Sequence, residues 1–254
     1  MKIENPSIII YTPSANPIDD LKQLERIGRT CYKSEDKITE TSYDSFLRGL
    51  VLKGHHSVLE HITATVCLKT DRAVSLETVR HRLASYSQVS TRYCNYSKDK
   101  FNNEISVMSQ LDYFSPYEDL QDIQLPNFNL NQYSSNINSI INTVSFKGNS
   151  FDVWLISMLI SEWAYITLTK QFNHSPQIAR SVLPNCLSTE LWVTANLREW
   201  RHILSLRALG TCGIPHPDIR KIMLIVLQEL YKRYPVIFED LYNIAVGKNL
   251  IISE

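Results

Sequence analysis

Residues 151–172 constrain the fold more than any other stretch, because they are apolar on most sides of a helix. Asp152, Ser157, Ser161, Glu162 and Lys170 interrupt them. A helix without a polar face must be covered nearly all round, so the spacing predicts a long helix at the centre of a domain or in an oligomer interface. The scattered charges argue for a core helix over a membrane span. Short apolar runs at 7–11, 62–68 and 191–196 read as strands. Helical spacing recurs over 19–31, 39–53, 72 to about 82, 175–182, 197–209, 216–233 and 236–246. Pro17 and Pro217 suit helix starts, Asp71 an N-cap, and Gly54 and Pro184 suit helix ends. No repeat, heptad run or linker divides the chain. The expectation is one α+β domain over 1–254, with a small, mostly antiparallel sheet packed by several helices, the long central one among them. A variable excursion at about 98–150 is rich in Asn, Ser, Gln and Tyr and broken by Pro116 and Pro126, with one helix expected near 133–143.

The opposite extreme is the stretch 80–93, Arg80-His81-Arg82-Leu83-Ala84-Ser85-Tyr86-Ser87-Gln88-Val89-Ser90-Thr91-Arg92-Tyr93. It holds three arginines, and only Leu83, Ala84 and Val89 are plainly apolar. Such a segment is not expected in a core. Guanidinium forks fit phosphate and carboxylate, and hydroxyls complete the shell around such an anion. The competing reading is a solvated basic turn.

Charge narrows the ligand. Lys plus Arg equals Asp plus Glu, 26 against 26, so the chain lacks the basic surplus that a nucleic-acid polymer demands. A local arginine cluster on a neutral chain points to a small anion. No G-x-G-x-x-G or P-loop is present, and there are seven glycines in all, so a bound nucleotide must be held by side chains. Five widely spaced cysteines, with no C-x-x-C, fit a reducing cytoplasm better than a disulfide framework or structural zinc. Residues 1–11 lack a signal-peptide pattern, so a soluble, intracellular chain is expected.

Two further arginines stand out. Arg180 lies among Ile178, Ala179, Val182 and Leu183, and Arg207 ends a stripe of Trp200, Ile203 and Leu204 on one helical face. An arginine buried at such a place and left unpaired costs about 3–5 kcal/mol, so each needs an anion or a fixed partner. For Arg207 the internal alternatives are Glu162 and Glu199. The other face of that helix carries Arg198, Arg201, His202 and Ser205, so it meets either a second ligand or solvent. Ser90 has no base placed beside it by spacing, so hydrogen bonding suits it better than nucleophilic attack. His55, His56 and His61 lack metal-ligand spacing, and no metal is expected.

These residues resemble the flavin-dependent thymidylate synthases. Arg80-His81-Arg82, seven residues and then Ser90 is similar to the signature of that family. Gly54-His55-His56-Ser57 with Glu60-His61, the run Arg180 to Pro184, and Asn196-Leu197-Arg198 followed by Arg207 match further family segments in order. The resemblance implies reductive methylation of dUMP to dTMP, with FAD reduced by NADPH and methylenetetrahydrofolate supplying the carbon. It implies that His55, Ser57, Arg80, His81, Arg82, Gln88, Asn196, Arg198 and His202 face FAD. It gives Glu77, Arg80, Gln88, Val89, Ser90, Thr91, Arg92, Arg180 and Arg207 to dUMP, with Arg207 as the catalytic group. It also implies a homotetramer with active sites assembled from several subunits, no nucleic-acid polymer and no membrane. If the helix from Arg72 continues, Arg80 and Arg82 stand about 200° apart and can serve two different anions. Glu77 stands where the family can have glutamine. A carboxylate repels a phosphate dianion, so Glu77 is expected at ribose or base. Two alternatives remain: a related hydroxymethyl transfer to a pyrimidine nucleotide, and a nucleotide-binding module without catalysis.

Overall fold

A computed structural model describes residues 1–110, 112–114 and 149–251. The helix expected near 133–143, and most of the 98–150 excursion around it, lie outside the described residues. The chain is a mixed α+β fold with two compact units. One contains residues 1–5, 71–73 and 89–189, and the other contains 6–70, 74–88 and 190–254.

The second unit holds the four-stranded sheet, in the order β2 (Ser7–Tyr11), β3 (Thr63–Asp71), β6 (Ser188–Asn196), β4 (Ala84–Gln88). β2 runs antiparallel to β3 with Ile9 opposite Cys67, and β4 runs antiparallel to β6 with Tyr86 opposite Val193. The helices of this unit are α1 (Pro17–Thr30), α2 (Ser42–Leu52), most of α3 (Arg72–Thr78), α6 (Leu197–Arg207), α7 (Pro217–Arg233) and α8 (Pro235–Gly247). Local chemistry starts them. Asn16 accepts from the Ile18 N–H ahead of α1, Asn196 from the Glu199 N–H ahead of α6, and Pro17, Pro217 and Pro235 occupy first-turn positions. Gly28 lets α1 approach α2, since a Cβ there would lie 2.8 Å from a Phe46 ring carbon. The core gathers Leu24, Leu47, Leu59, Val66, Leu68, Val193 and Ile222. Trp200, Ile203 and Leu204 are fully buried, as their spacing predicts. Trp200 also donates its indole N–H to the Ala64 carbonyl at 2.9 Å, which fixes the rotation of α6 against β3.

The first unit contains β1 (Lys2–Glu4) parallel to β5 (Ser106–Met108), α4 (Ser150–Lys170) and α5 (Pro176–Ala179). Helix α4 has a span close to the one expected from the sequence. It buries Asp152, Trp154, Ile156, Met158 and Tyr165 while Val153 and Ile160 stay exposed. Trp154, Met158 and Tyr165 pack with Tyr96, Ile105, Val107, Ala179 and Leu187. Among the described residues it is also the helix long and apolar enough to cross a membrane. Glu162, past its midpoint, accepts the Ile105 N–H at 2.9 Å, so its polar side is used inside the unit.

One correction concerns the basic motif. The helix expected to reach about residue 82 stops at Thr78, and β4 follows after a short turn. Arg80 and Arg82 are therefore not helical neighbours, and the 200° separation does not apply. Ala84, Tyr86 and Gln88 are half-buried while Ser85 and Ser87 point out, a period-two pattern that small serines conceal.

Candidate active site

The turn after α3 is built by backbone contraction. Val79 N–H still reaches the Ser75 carbonyl at 3.1 Å, but Arg80 N–H bonds Glu77 and His81 N–H bonds Thr78, three residues back, at 3.3 and 3.2 Å. The Tyr86 hydroxyl then lies 3.0 Å from the Thr78 carbonyl oxygen and 2.6 Å from that of His81. Gln88 donates to the Ser75 hydroxyl at 2.8 Å, pinning the far end of β4 to the same helix. The result sorts the triplet: His81 is 6% exposed, whereas Arg80 and Arg82 are exposed. Among the described residues neither of those guanidiniums has a carboxylate within ion-pair distance.

Arg207 at the end of α6 reaches His81. Its Nε–H donates to His81 Nε2 at 3.1 Å, and its Nη1 lies 3.3 Å from Glu77 Oε2. The expected internal alternatives, Glu162 and Glu199, are not its partners. The Arg207 side chain remains 26% exposed, so the guanidinium is held on one side and open on another. His81 Nε2 must offer a lone pair to an arginine N–H, which places the ring proton on Nδ1, 4.0 Å from the buried Glu199 carboxylate. Burial, then the Arg207 charge, then His202 push the His81 pKa down to about 4. Burial raises that of Glu199 against the opposing influence of His202.

The sign for stability follows from the weaker proton binding of the folded ring. The fold gains no penalty above the ordinary histidine value of 6.5 and loses stability as pH falls from there to about 4. Urea denaturation at stepped pH checks this. The expected result is a falling midpoint in that window, and the fall is reduced in His81→Gln. A midpoint with the same pH slope in both proteins excludes His81 as the cause.

Other residues of α6 separate by role. Asn196 uses its side-chain oxygen as the N-cap, 2.8 Å from the Glu199 N–H. Arg198 pairs with Glu60 at 2.5 Å where both are about half exposed, a pair of small energetic weight. His202 is exposed, its ring edge-on to His81 at 6.0 Å. Arg201, expected on a ligand-facing or solvent-facing side, is instead buried. It holds Asp240 through two bonds of 2.7 and 2.6 Å and also donates to the Ile237 carbonyl. His55 and Ser57 are exposed where α2 gives way to the 3-10 turn Ser57–His61.

The remaining expected residues lie in the first unit and come together there. Arg92 N–H approaches the Ser90 hydroxyl at 3.3 Å, and Tyr93 and Cys94 N–H groups bond the Ser90 carbonyl at 3.2 and 2.9 Å. Val89 precedes this turn, half-buried. Thr91 is buried and its hydroxyl meets Arg180 Nη1 at 3.4 Å, while Arg92 donates to Gln177 at 3.0 Å. Arg180 is exposed rather than enclosed by its apolar neighbours. The hydroxyls and Arg92 of this turn, together with Arg180 from the 3-10 turn Arg180–Val182, form a donor set suited to a phosphate. Sequence reasoning gave no role to Tyr86, which secures the motif, or to Gln177; the alternation through β4 was the available signal for Tyr86.

Comparison with known proteins agrees over nearly the whole chain. The family model described as "Thymidylate synthase complementing protein" matches residues 15–236. A flavin-dependent thymidylate synthase of Corynebacterium diphtheriae is 30% identical over 251 residues, 98% of this chain and 89% of the relative. One from Mycobacteroides abscessus is 29% identical over 91% of this chain and 84% of its own length. Among solved structures, the UMP/dUMP methylase PolB of Streptomyces cacaoi with 5-Br dUMP superposes with TM-score 0.66 at 19% identity, covering 94% of this chain and 96% of the other. Thymidylate synthase X of Helicobacter pylori with FAD and dUMP gives 0.61 at 20% identity, covering 92% and 98%. At such identities the structural likeness shows a shared fold.

Proposed function

The chain belongs to the flavin-dependent thymidylate synthase family of methyltransferases, and from that premise we propose that it methylates dUMP to dTMP with methylenetetrahydrofolate as carbon donor and NADPH as reductant. The observation that carries the reading is Arg207, a partly open guanidinium oriented by His81 and Glu77. Uracil C5 is a weak nucleophile until the ring gains negative charge. A fixed guanidinium beside the ring stabilises the form that has lost its N3 proton and so raises electron density at C5. Arg207 takes that role, and no serine or cysteine nucleophile is required.

The residues of the second unit fit FAD. Arg80 and Arg82, exposed and without a carboxylate partner among the described residues, offer the donors a pyrophosphate takes. Ser57, Gln88, Asn196, Arg198 and His202 complete the proposed contacts, and His55 lies where folate stacks beside the flavin. Bound FAD supplies the redox equivalents; the protein orients its partners and excludes water. Ser90, Thr91, Arg92 and Arg180 take the nucleotide phosphate, with Val89 beside them, and Glu77 faces ribose or base. We assign the protein to a homotetramer with shared active sites in the cytoplasm, where its five free thiols suit reducing conditions.

Purified protein is expected to be yellow from bound flavin and to turn dUMP, methylenetetrahydrofolate and NADPH into a product of the mass of dTMP. A hydroxymethyl product overturns the methylation reading. A colourless protein that binds dUMP without turnover supports a binding module instead.

A further inference from the structure

The resemblance gives His81 to the flavin, but the structure puts its ring inside the protein with one nitrogen spent on an arginine. We propose that His81 is a positioning residue for Arg207: its neutral Nδ1–H tautomer accepts the Arg207 Nε–H and holds the guanidinium so that its outer edge faces the pyrimidine. The inference rests on the methylation reading above for what Arg207 does, but the pairing itself can be tested without it.

The geometry excludes the other tautomer. With a proton on Nε2, two N–H donors would face each other at 3.1 Å. The charged and polar groups around His81 come from three elements. Arg207, His202 and Glu199 face it from α6, the Tyr86 hydroxyl of β4 fixes its carbonyl, and Glu77 of α3 reaches it through Arg207. The charged group bonded to Nε2 is a cation, so the neutral state is maintained by the same arginine it positions. Glu77 completes the arrangement at Nη1 but is 35% exposed, so the less exposed His81 is the firmer of the two holds. A guanidinium held at Nε by an acceptor and at Nη1 by a carboxylate has lost rotation about its terminal bonds before any nucleotide arrives. A shift of about 1 Å in a group acting on a reacting ring costs on the order of 10²-fold in rate.

Two substitutions separate positioning from cofactor contact. His81→Phe keeps the ring volume and removes the acceptor; His81→Gln places an amide oxygen near the former Nε2. The expected result is a fall of about 10²-fold in kcat for the Phe variant, with flavin content and KM for dUMP within about threefold of the parent. The Gln variant is expected to recover at least about tenfold of that loss. Loss of flavin in both variants, with kcat per bound flavin unchanged, overturns the proposal in favour of direct cofactor contact. Equal kcat loss in Phe and Gln variants overturns it too. Independently of turnover, imidazole 15N spectra of the intact protein are expected to show His81 neutral, protonated at Nδ1, at neutral pH and down towards its value of about 4. A protonated Nε2 at neutral pH overturns the pairing even if the protein shows no methylation at all. Conversely, a wild-type protein with the expected spectrum but no dTMP formation removes the methylation reading and leaves the pairing intact.

Discussion

Arg207→Ala is expected to lower kcat for dTMP formation by about 10²–10³-fold while NADPH still reduces the bound flavin. The separation follows from the layout of the second unit. Arg80 and Arg82 are proposed to hold FAD, whereas the side-chain bonds of Arg207 go to His81 and Glu77. Arg207→Lys keeps the charge but loses the Nε donor and the planar fork, so it is expected to recover only a small part of the loss. Stopped-flow flavin reduction and product quantification on the same preparation make the test. Unimpaired dTMP formation in Arg207→Ala would show that the ring is activated by another group. Loss of both half-reactions would show that Arg207 belongs to the cofactor site.

The largest effect on stability is expected far from the reacting atoms. Asp240→Ala leaves Arg201, 8% exposed at its side chain, with a charge and no anion, and is expected to cost about 3–5 kcal/mol. The urea midpoint reports it. Burial acts to raise the Asp240 pKa, but the Arg201 hydrogen bonds and charge outweigh burial and hold it below the usual carboxylate range. The pair therefore stabilises the fold at neutral pH and ceases to do so as pH falls through that lowered value. The double replacement Arg201→Met/Asp240→Leu removes both charges together and is expected to regain most of the loss. A single variant that loses less than about 1 kcal/mol would show that water reaches Arg201 and that the pair behaves as an exposed one.

What was legible in the chain followed from periodicity and caps. The stripe Trp200, Ile203, Leu204 predicted the buried face of α6, and Pro17 and Pro217 marked helix starts where the structure has them. The motifs named the arginines, but not their partners. Arg201 and Arg207 differ by six residues on one helix and meet entirely different surroundings. Only the approach of Asp240 from α8 and of Glu77 from α3 decides which is structural and which is open, and that approach is a property of packing. An apolar circumference likewise states how much cover a helix wants and not what supplies it: among the described residues, Trp154, Met158 and Tyr165 are covered while Val153 and Ile160 are exposed. The early end of α3 was hidden because Arg72 to Arg82 carries no glycine or proline, and its stop comes from Tyr86, a residue further along the chain.

That tyrosine changes how portable the motif is. A short signature invites transplantation into another scaffold as a self-contained loop, yet here the turn carrying Arg80, His81 and Arg82 keeps its shape through a hydroxyl on the next strand and an amide at that strand's far end. The strand in turn keeps its register through Tyr86 opposite Val193. The smallest unit that could be grafted is therefore α3, the turn, β4 and the stretch of β6 beside it. A designer who copied the triplet alone would inherit the letters of the site without the grammar that makes His81 face inward and its two neighbours face out.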